Sequence, residues 1–269
     1  MPLNQKLIQA PKMNYQKHPR DTYITVYGRK PVIELLEMED VSIAKVLIAI
    51  KSKGDIIKDI LNLCKKKGIE PSWVSPEEVS RISKNPNQDQ GIAADVVAPG
   101  MDNALQYFEN FDQTKSNEAW LALDGVTTPA NVGMIIRTAA ALGLGVILPL
   151  KGSSKINPLV VKASAGVVFK SRILKCDTLS QALKTAKKQG FSVYGLAGEE
   201  GKNIYHQEFK NNAIFVMGNE TEGVSEQHRE IMDGWLTIPM ISGIESLNVA
   251  CAATVVASEW MRRNGKIKS

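Results

Sequence analysis

From Trp120 to Arg262 short apolar runs take turns with longer segments of helical period. "WLALDGV" reads as a strand and "NVGMIIRTAAALG" as a helix ended by Gly143; "GVILPL" is the next strand, followed by the helix "NPLVVKASAG", with Asn157 as its cap and Pro158 at its first position. "SRILKC" and "TLSQALKTAKKQG" repeat the pair, and "FSVYGLA" and "AIFVMGN" supply two more strands. A helix through "SEQHREIMD", a strand "WLTIPM" and a helix over 246–262 complete the series. Apolar strands separated by helices predict a parallel sheet buried on both faces. Ligands in such sheets gather outside the carboxyl ends of the strands.

The preceding stretch has a different texture. "YITVYGRKPVIELLE" reads as a strand, a turn at Gly28 and a helix starting at Pro31; "IAKVLIAI", "GDIIKDILNLCKKKG", "EPSWVSPEEVSRIS" and "GIAADVVA" continue a small α/β unit over 23–98. Residues 99–117, opened by Pro99-Gly100 and rich in Asn, Asp and Gln, read as a linker. Residues 1–22 carry several lysines and no acidic residue before Arg20, which suggests a disordered basic arm or a targeting segment. The larger unit then spans 118–269.

Composition narrows the function. No apolar run reaches the ~20 residues that span a bilayer, so no membrane partner is expected. Three cysteines lie far apart and only three histidines are present, so no metal cluster is expected and a reducing, cytoplasmic setting fits. The net charge of +5 permits nucleic-acid binding. Neither GxGxxG after a strand, nor the Walker lysine loop, nor GxSxG occurs.

Three strand-end loops hold the candidate chemistry. In "DGVTTPANVGMIIRTAAALG", Asn131 is either a helix cap or a site residue, Arg137 either a solvated cation or a ligand clamp, and Gly133 offers close backbone access. In "FVMGNETEGVSE" the strand runs into Gly218-Asn219-Glu220, a plain turn or a place where a flat ligand lies against backbone. In "IPMISGIESLNVACAATVVASEW", Ser246 reads as an N-cap, or the Ser246-Leu247-Asn248 turn forms one wall of a pocket. Lys65-Lys66-Lys67 and the terminal Arg262, Arg263, Lys266 and Lys268 read as solvated helix ends, with RNA phosphate as the alternative partner.

Taken together, "NVGMIIRTAAALG", "IFVMGNETEGVS" and "IPMISGIESLNVACAATVVA" resemble the three motifs of the SpoU family of RNA ribose 2′-O-methyltransferases, over about residues 118–263. The earlier unit, ending in "DQGIAADV", is similar to that family's ribosomal-protein-like RNA-binding domain, with Asp89 standing where the family commonly has His. The resemblance implies a SPOUT-type α/β fold in which the C-terminal segment threads a loop as a deep trefoil knot, a rare exception among folds. It also implies S-adenosylmethionine as cofactor, a homodimer paired through the catalytic domain, and a guanosine in large-subunit ribosomal RNA as substrate. Transfer RNA is the nearest alternative, and a non-catalytic RNA-binding assembly factor is the alternative of another class.

By the same resemblance, Leu196, Ala197, Gly218, Ile238, Met240 and Leu247 hold the cofactor, Arg29, Lys30 and Gln90 touch RNA, and Arg137, Asn131, Glu220, Ser246 and Asn248 form the catalytic group. A guanidinium stays protonated, with a pKa above ~12. Arg137 is therefore read as clamping phosphate and stabilising developing alkoxide charge. The small residues Ala250, Ala252, Ala253 and Ala257 of the last helix suit close packing, either within the chain or between subunits.

Overall fold

The computed structural model describes residues 23–39, 41–97, 101–114, 117–198, 201–241 and 246–264. The basic arm, Pro99-Gly100, Lys266 and Lys268 lie outside the described residues. The first unit is a four-stranded mixed sheet, ordered β1 (Tyr23–Tyr27), β4 (Ile92–Val97), β2 (Ile43–Ala49) and β3 (Ser72–Val74). Its helices are α1 (Arg29–Glu37), α2 (Asp55–Lys66) and α3 (Pro76–Ser83). α1 starts two residues ahead of the expected Pro31, directly after Gly28. At the start of α3 the Ser75 hydroxyl accepts from the amide of Glu78 and Pro76 occupies the first turn.

The second unit is an eight-stranded sheet in which every pairing is parallel. Its strands are β5 (Met101–Asn103), β6 (Glu118–Leu123), β7 (Gly145–Pro149), β8 (Ile173–Cys176), β9 (Ser192–Leu196), β10 (Lys202–Asn203), β11 (Asn212–Met217) and β12 (Gly234–Thr237). They are ordered β10-β12-β9-β11-β6-β7-β8-β5. Side chains alternate between two cores, as a strand requires. Ala119, Leu121 and Leu123 of β6 face one, which α5 (Pro129–Ala141), α6 (Pro158–Ala163) and α9 (Val249–Asn264) cover. Trp120 and Ala122 face the other, under α4 (Ala104–Glu109) and α7 (Leu179–Lys188).

The 99–117 stretch is more structured than its polar composition suggests. β5 pairs with β8 and extends the large sheet, and the Asn103 side chain caps α4 by accepting from the amide of Gln106 at 3.2 Å. Ala104 and Phe108 are fully buried, and Phe108 packs edge-on against Trp120 and Phe191. A helix so short is marginal alone, so tertiary burial makes it. Gly133 also differs from expectation. A Cβ there would lie 2.5 Å from Ala163 Cβ and 2.7 Å from the Val160 carbonyl oxygen, so this glycine lets α5 and α6 pack closely.

Candidate active site

The carboxyl ends of β12, β9, β11 and β6 lie side by side in the sheet, and the loops leaving them gather the predicted residues. Asn131, 6% exposed, is the third residue of α5. It does not cap that helix. Its amide donates to Glu220 Oε1, and its carbonyl accepts from Asn248 Nδ2 at 3.1 Å. The orientation of each amide follows from these bonds, because the Glu220 carboxylate can only accept.

Asn248 is itself anchored. Its Oδ1 accepts from the amides of Ala250 at 2.9 Å and Cys251 at 3.4 Å, so Asn248 is the N-cap of α9, and the expectation that Ser246 caps this helix is corrected. The helix opens at Val249, three residues later than predicted, which shifts the cap from the serine to the asparagine. Ser246 and Leu247 are exposed in the turn just before it, whereas Gly243 and Glu245 lie outside the described residues.

Glu220 sits in a tight turn closed by Asn219 and Gly223, whose backbone groups exchange hydrogen bonds at 2.9 Å in both directions. The Asn219 side chain stitches this turn to the loop after β6: Nδ2 donates to the Gly125 carbonyl at 3.1 Å, and Oδ1 accepts from the amide of Thr221 at 2.8 Å. At Gly218 a Cβ would fall 2.1 Å from the Gly223 carbonyl carbon, so any side chain would force the two arms of the turn apart.

Arg137 does not join this cluster within the chain. It lies six residues beyond Asn131, ~9 Å further along the helix and about 120° around it. It is exposed and has no hydrogen bond or ion pair among the described residues. The two residues share a helix but not a face.

The predicted cofactor residues line neighbouring strand ends. Leu196 ends β9, the Ala197 amide donates to the Leu236 carbonyl at 2.9 Å, and Ile238 follows β12 directly. Leu196, Ala197 and Ile238 are half-buried, whereas Met240 (36%), Ile241 (83%) and Leu247 (39%) stand exposed. Among the described residues no group of His, Cys, Asp and Glu is placed to hold a metal, and no helix is long and apolar enough to cross a membrane.

Several supporting residues carry no strong sequence signal. Asp124, at the end of β6, accepts at Oδ2 from the Ser225 amide (2.7 Å), the Ser225 hydroxyl (2.8 Å) and His228 Nδ1 (2.9 Å). Burial pushes its pKa up, but the hydrogen bonds from His228 and Ser225 outweigh that and hold the carboxyl below the usual range. Ser225 is the N-cap residue of the short helix α8 (Glu226–Arg229), and His228 lies within that helix. The only hint was a Ser-x-x-His spacing after the glycine turn.

In the first unit, Arg29 and Gln90 do meet. The Arg29 amide donates to Gln90 Oε1 at 3.2 Å, its Nε to the Gln90 carbonyl at 3.4 Å, and its terminal nitrogen to the Lys53 carbonyl at 3.5 Å. Lys30 is exposed beside them, and Lys53 was not anticipated. Beneath this surface Asp89, 4% exposed, accepts from Ser80 Oγ and Ser83 Oγ at 2.9 Å each and from the Gly91 amide at 2.9 Å. The departure from His thus builds a bracket under Gln90, which adopts a left-handed φ of 51°. Elsewhere, Arg262 and Arg263 are drawn to the buried Glu259 of α9, at 2.7 and 2.5 Å. The Arg262 and Arg263 hydrogen bonds outweigh burial and hold the Glu259 carboxyl down to about 2, which favours the helix-end reading for these arginines.

Comparison with known proteins places the fold and the loops in one class. Residues 118–258 match the model of the SpoU rRNA methylase family, and residues 25–101 match the substrate-binding domain of RNA 2′-O ribose methyltransferases. The chain belongs to the SpoU rRNA methylase family. A relative from Xanthomonas campestris, named 23S rRNA (guanosine-2′-O-)-methyltransferase RlmB, is 32% identical over 241 residues, covering 88% of this chain and 96% of its own. A relative from Mycolicibacterium vanbaalenii, named uncharacterized tRNA/rRNA methyltransferase, is 28% identical over 266 residues, covering 97% of this chain and 84% of its own. The fold matches the crystal structure of the SpoU methyltransferase AviRb from Streptomyces viridochromogenes in complex with AdoMet, at a TM-score of 0.64 and 22% identity over 92% of each chain.

Proposed function

We propose that this enzyme transfers a methyl group from S-adenosylmethionine to the 2′-hydroxyl of a guanosine ribose in large-subunit ribosomal RNA. The observation that carries the reading is the convergence of all three motif loops in one hydrogen-bonded chain, Glu220–Asn131–Asn248. The similarity to the RlmB relative runs through both units and supports the choice of substrate.

Leu196, Ala197, Gly218, Ile238, Met240 and Leu247 hold the cofactor, which when bound supplies a methyl on a sulfonium, already a good leaving group. What remains is to bring a ribose hydroxyl in line and to make its oxygen nucleophilic. Glu220 fixes the Asn131 amide, Asn248 fixes its carbonyl, and Ser246 orders the turn above them. Arg137, permanently cationic, clamps the adjacent RNA phosphate and stabilises negative charge growing on the ribose oxygen. Arg29, Lys30 and Gln90 grip RNA away from the reacting sugar.

The chain end threads the 218–225 loop as a knot, and two copies pair through the catalytic unit. Support for threading comes from the path of the chain: β12 lies two strands from β11, yet α9 packs on α5 and reaches Asn131 through Asn248. The exposed Met134 on α5 offers apolar surface for a second copy. A ribosomal RNA substrate places the enzyme in the cytoplasm.

The test is to incubate the protein with S-adenosylmethionine and large-subunit ribosomal RNA and to map the 2′-O-methyl marks. A new mark on a single guanosine is expected. Marks confined to transfer RNA in a parallel reaction would overturn the substrate, and no mark on either would overturn the reaction.

A further inference from the structure

The Asp124–Ser225–His228 cluster lies behind the site and has no part in the chemistry above. The 218–225 loop carries Glu220, and α8 that follows it is only four residues long, too short to hold a position by itself. Both flanks of α8 are bonded to the sheet. Ser225 just before α8 and His228 within it donate to Asp124, whose own amide continues the β6–β11 ladder by donating to the Met217 carbonyl at 2.9 Å. On the trailing side Asp233 accepts from the Val193 amide at 2.8 Å, returns a bond to the Val193 carbonyl at 2.7 Å, and pairs with Lys187 at 2.7 Å.

Proton placement in the cluster follows from its donors and acceptors. The carboxylate accepts only, and the Ser225 hydroxyl hydrogen points to it, so the short approach of His228 Nδ1 requires a hydrogen on that nitrogen. Nδ1 therefore carries a hydrogen, which lies between Asp124 Oδ2 (2.9 Å) and Ser225 Oγ (2.8 Å). Asp124 is 8% and His228 3% exposed, so neither meets solvent enough to bind substrate. A buried anion that receives three converging donors resists displacement, because losing one donor leaves a desolvated charge less satisfied.

The backbone of Glu220 is thus pinned from two sides: by Asn219 onto Gly125, and by Ser225 and His228 onto Asp124. Gly125 and Asp124 belong to the same loop that leads into α5 and Asn131. We propose that Asp124 and His228 are positioning residues for methyl transfer, which set the Glu220 carboxylate against the Asn131 amide through the 218–225 loop. This rests on the methyl-transfer reading and extends it to residues that touch neither substrate nor cofactor.

The test compares His228→Leu with His228→Asn, whose side-chain amide nitrogen takes the place of Nδ1. Ser225→Ala serves as a milder variant that keeps the backbone donor and folds if His228→Leu does not. kcat, the KM for ribosomal RNA, the Kd for S-adenosylmethionine and the melting temperature are measured for each beside the unaltered protein. His228→Leu is expected to lower kcat ~10- to 100-fold at unchanged cofactor affinity, since displacement of a reacting group by ~1 Å has effects of this size. His228→Asn should recover kcat to within about threefold, and Ser225→Ala should lower it about threefold to tenfold. Full kcat in His228→Leu or, where that variant does not fold, in Ser225→Ala would overturn the proposal, as would equal impairment of the Leu and Asn variants. Absence of methyl transfer by the unaltered protein would instead defeat the reaction itself, and that control separates the two failures.

Discussion

Asp89 and Asp124 are both buried aspartates under a functional loop, and each receives three hydrogen bonds. They differ in reach. Asp89 gathers donors two, six and nine residues away, so it shapes one local turn. The donors of Asp124 are 101 and 104 residues away, so it joins two loops from different strands. The surfaces above them differ accordingly. Above Asp89, Arg29 makes exposed bonds of 3.2–3.5 Å, the ones proposed to give way to RNA; on the Asp124 side, Asn131 donates to Glu220 in a part-buried contact. A binding surface tolerates looseness, whereas a reacting geometry does not.

The largest effect expected is that of Arg137→Ala, which should cut methyl transfer ~10²- to 10³-fold while S-adenosylmethionine affinity, read by calorimetry, stays the same. Normal turnover would remove Arg137 from the mechanism and leave only the stitched cluster on the catalytic side of the comparison. Next, Leu247→Arg should weaken cofactor binding at least ~10-fold by placing a charge on apolar pocket surface. Unchanged affinity would move the pocket elsewhere.

Asp89→Ala sharpens the contrast directly. It leaves three donors without their acceptor and should lower stability by ~1–3 kcal/mol. RNA affinity should fall several-fold, with kcat at saturating RNA unchanged. A fall in kcat instead would erase the distinction between the two loops. Smaller still, Arg29→Ala should reduce the slope of log K for RNA against log salt by about one phosphate contact.

Acid separates the two loops least. The carboxyl of Asp124 is held below its unfolded value of 3.8, so its stabilising contribution is present above that pH and lost as the pH falls through the folded value. The melting-temperature gap between the unaltered protein and Asp124→Asn should therefore shrink as the pH falls below about pH 4. A gap that did not shrink in acid would show that the fold does not hold the Asp124 carboxyl down.

The same difference in reach governs what the sequence discloses. Strand–helix alternation was legible because burial on both faces writes a continuous apolar run, as in "AIFVM" of β11. The Asn157 cap was legible because a cap acts within three residues. β5 and α4 were hidden, since Met101 of β5 and Ala104 and Phe108 of α4 lie in a stretch rich in Asn, Asp and Gln and gain meaning only against the large sheet. The displacement of the α9 cap from Ser246 to Asn248 follows from a contact 117 residues away with Asn131, and no local rule chooses between two capping residues two positions apart. Glu220, Asn131 and Asn248 were found through three motifs read together. The Asp124 lock was not found, because a lone Asp, Ser and His are common and only the fold brings them within 3 Å.

Ribosomal RNA from cells with and without the gene, compared nucleotide by nucleotide for 2′-O-methylation, tests the central claim most directly. One guanosine of the large-subunit RNA should lose its mark without the gene, regain it with the unaltered protein, and stay bare with Arg137→Ala. An unchanged methylation pattern, or a mark restored equally by Arg137→Ala, would contradict the account.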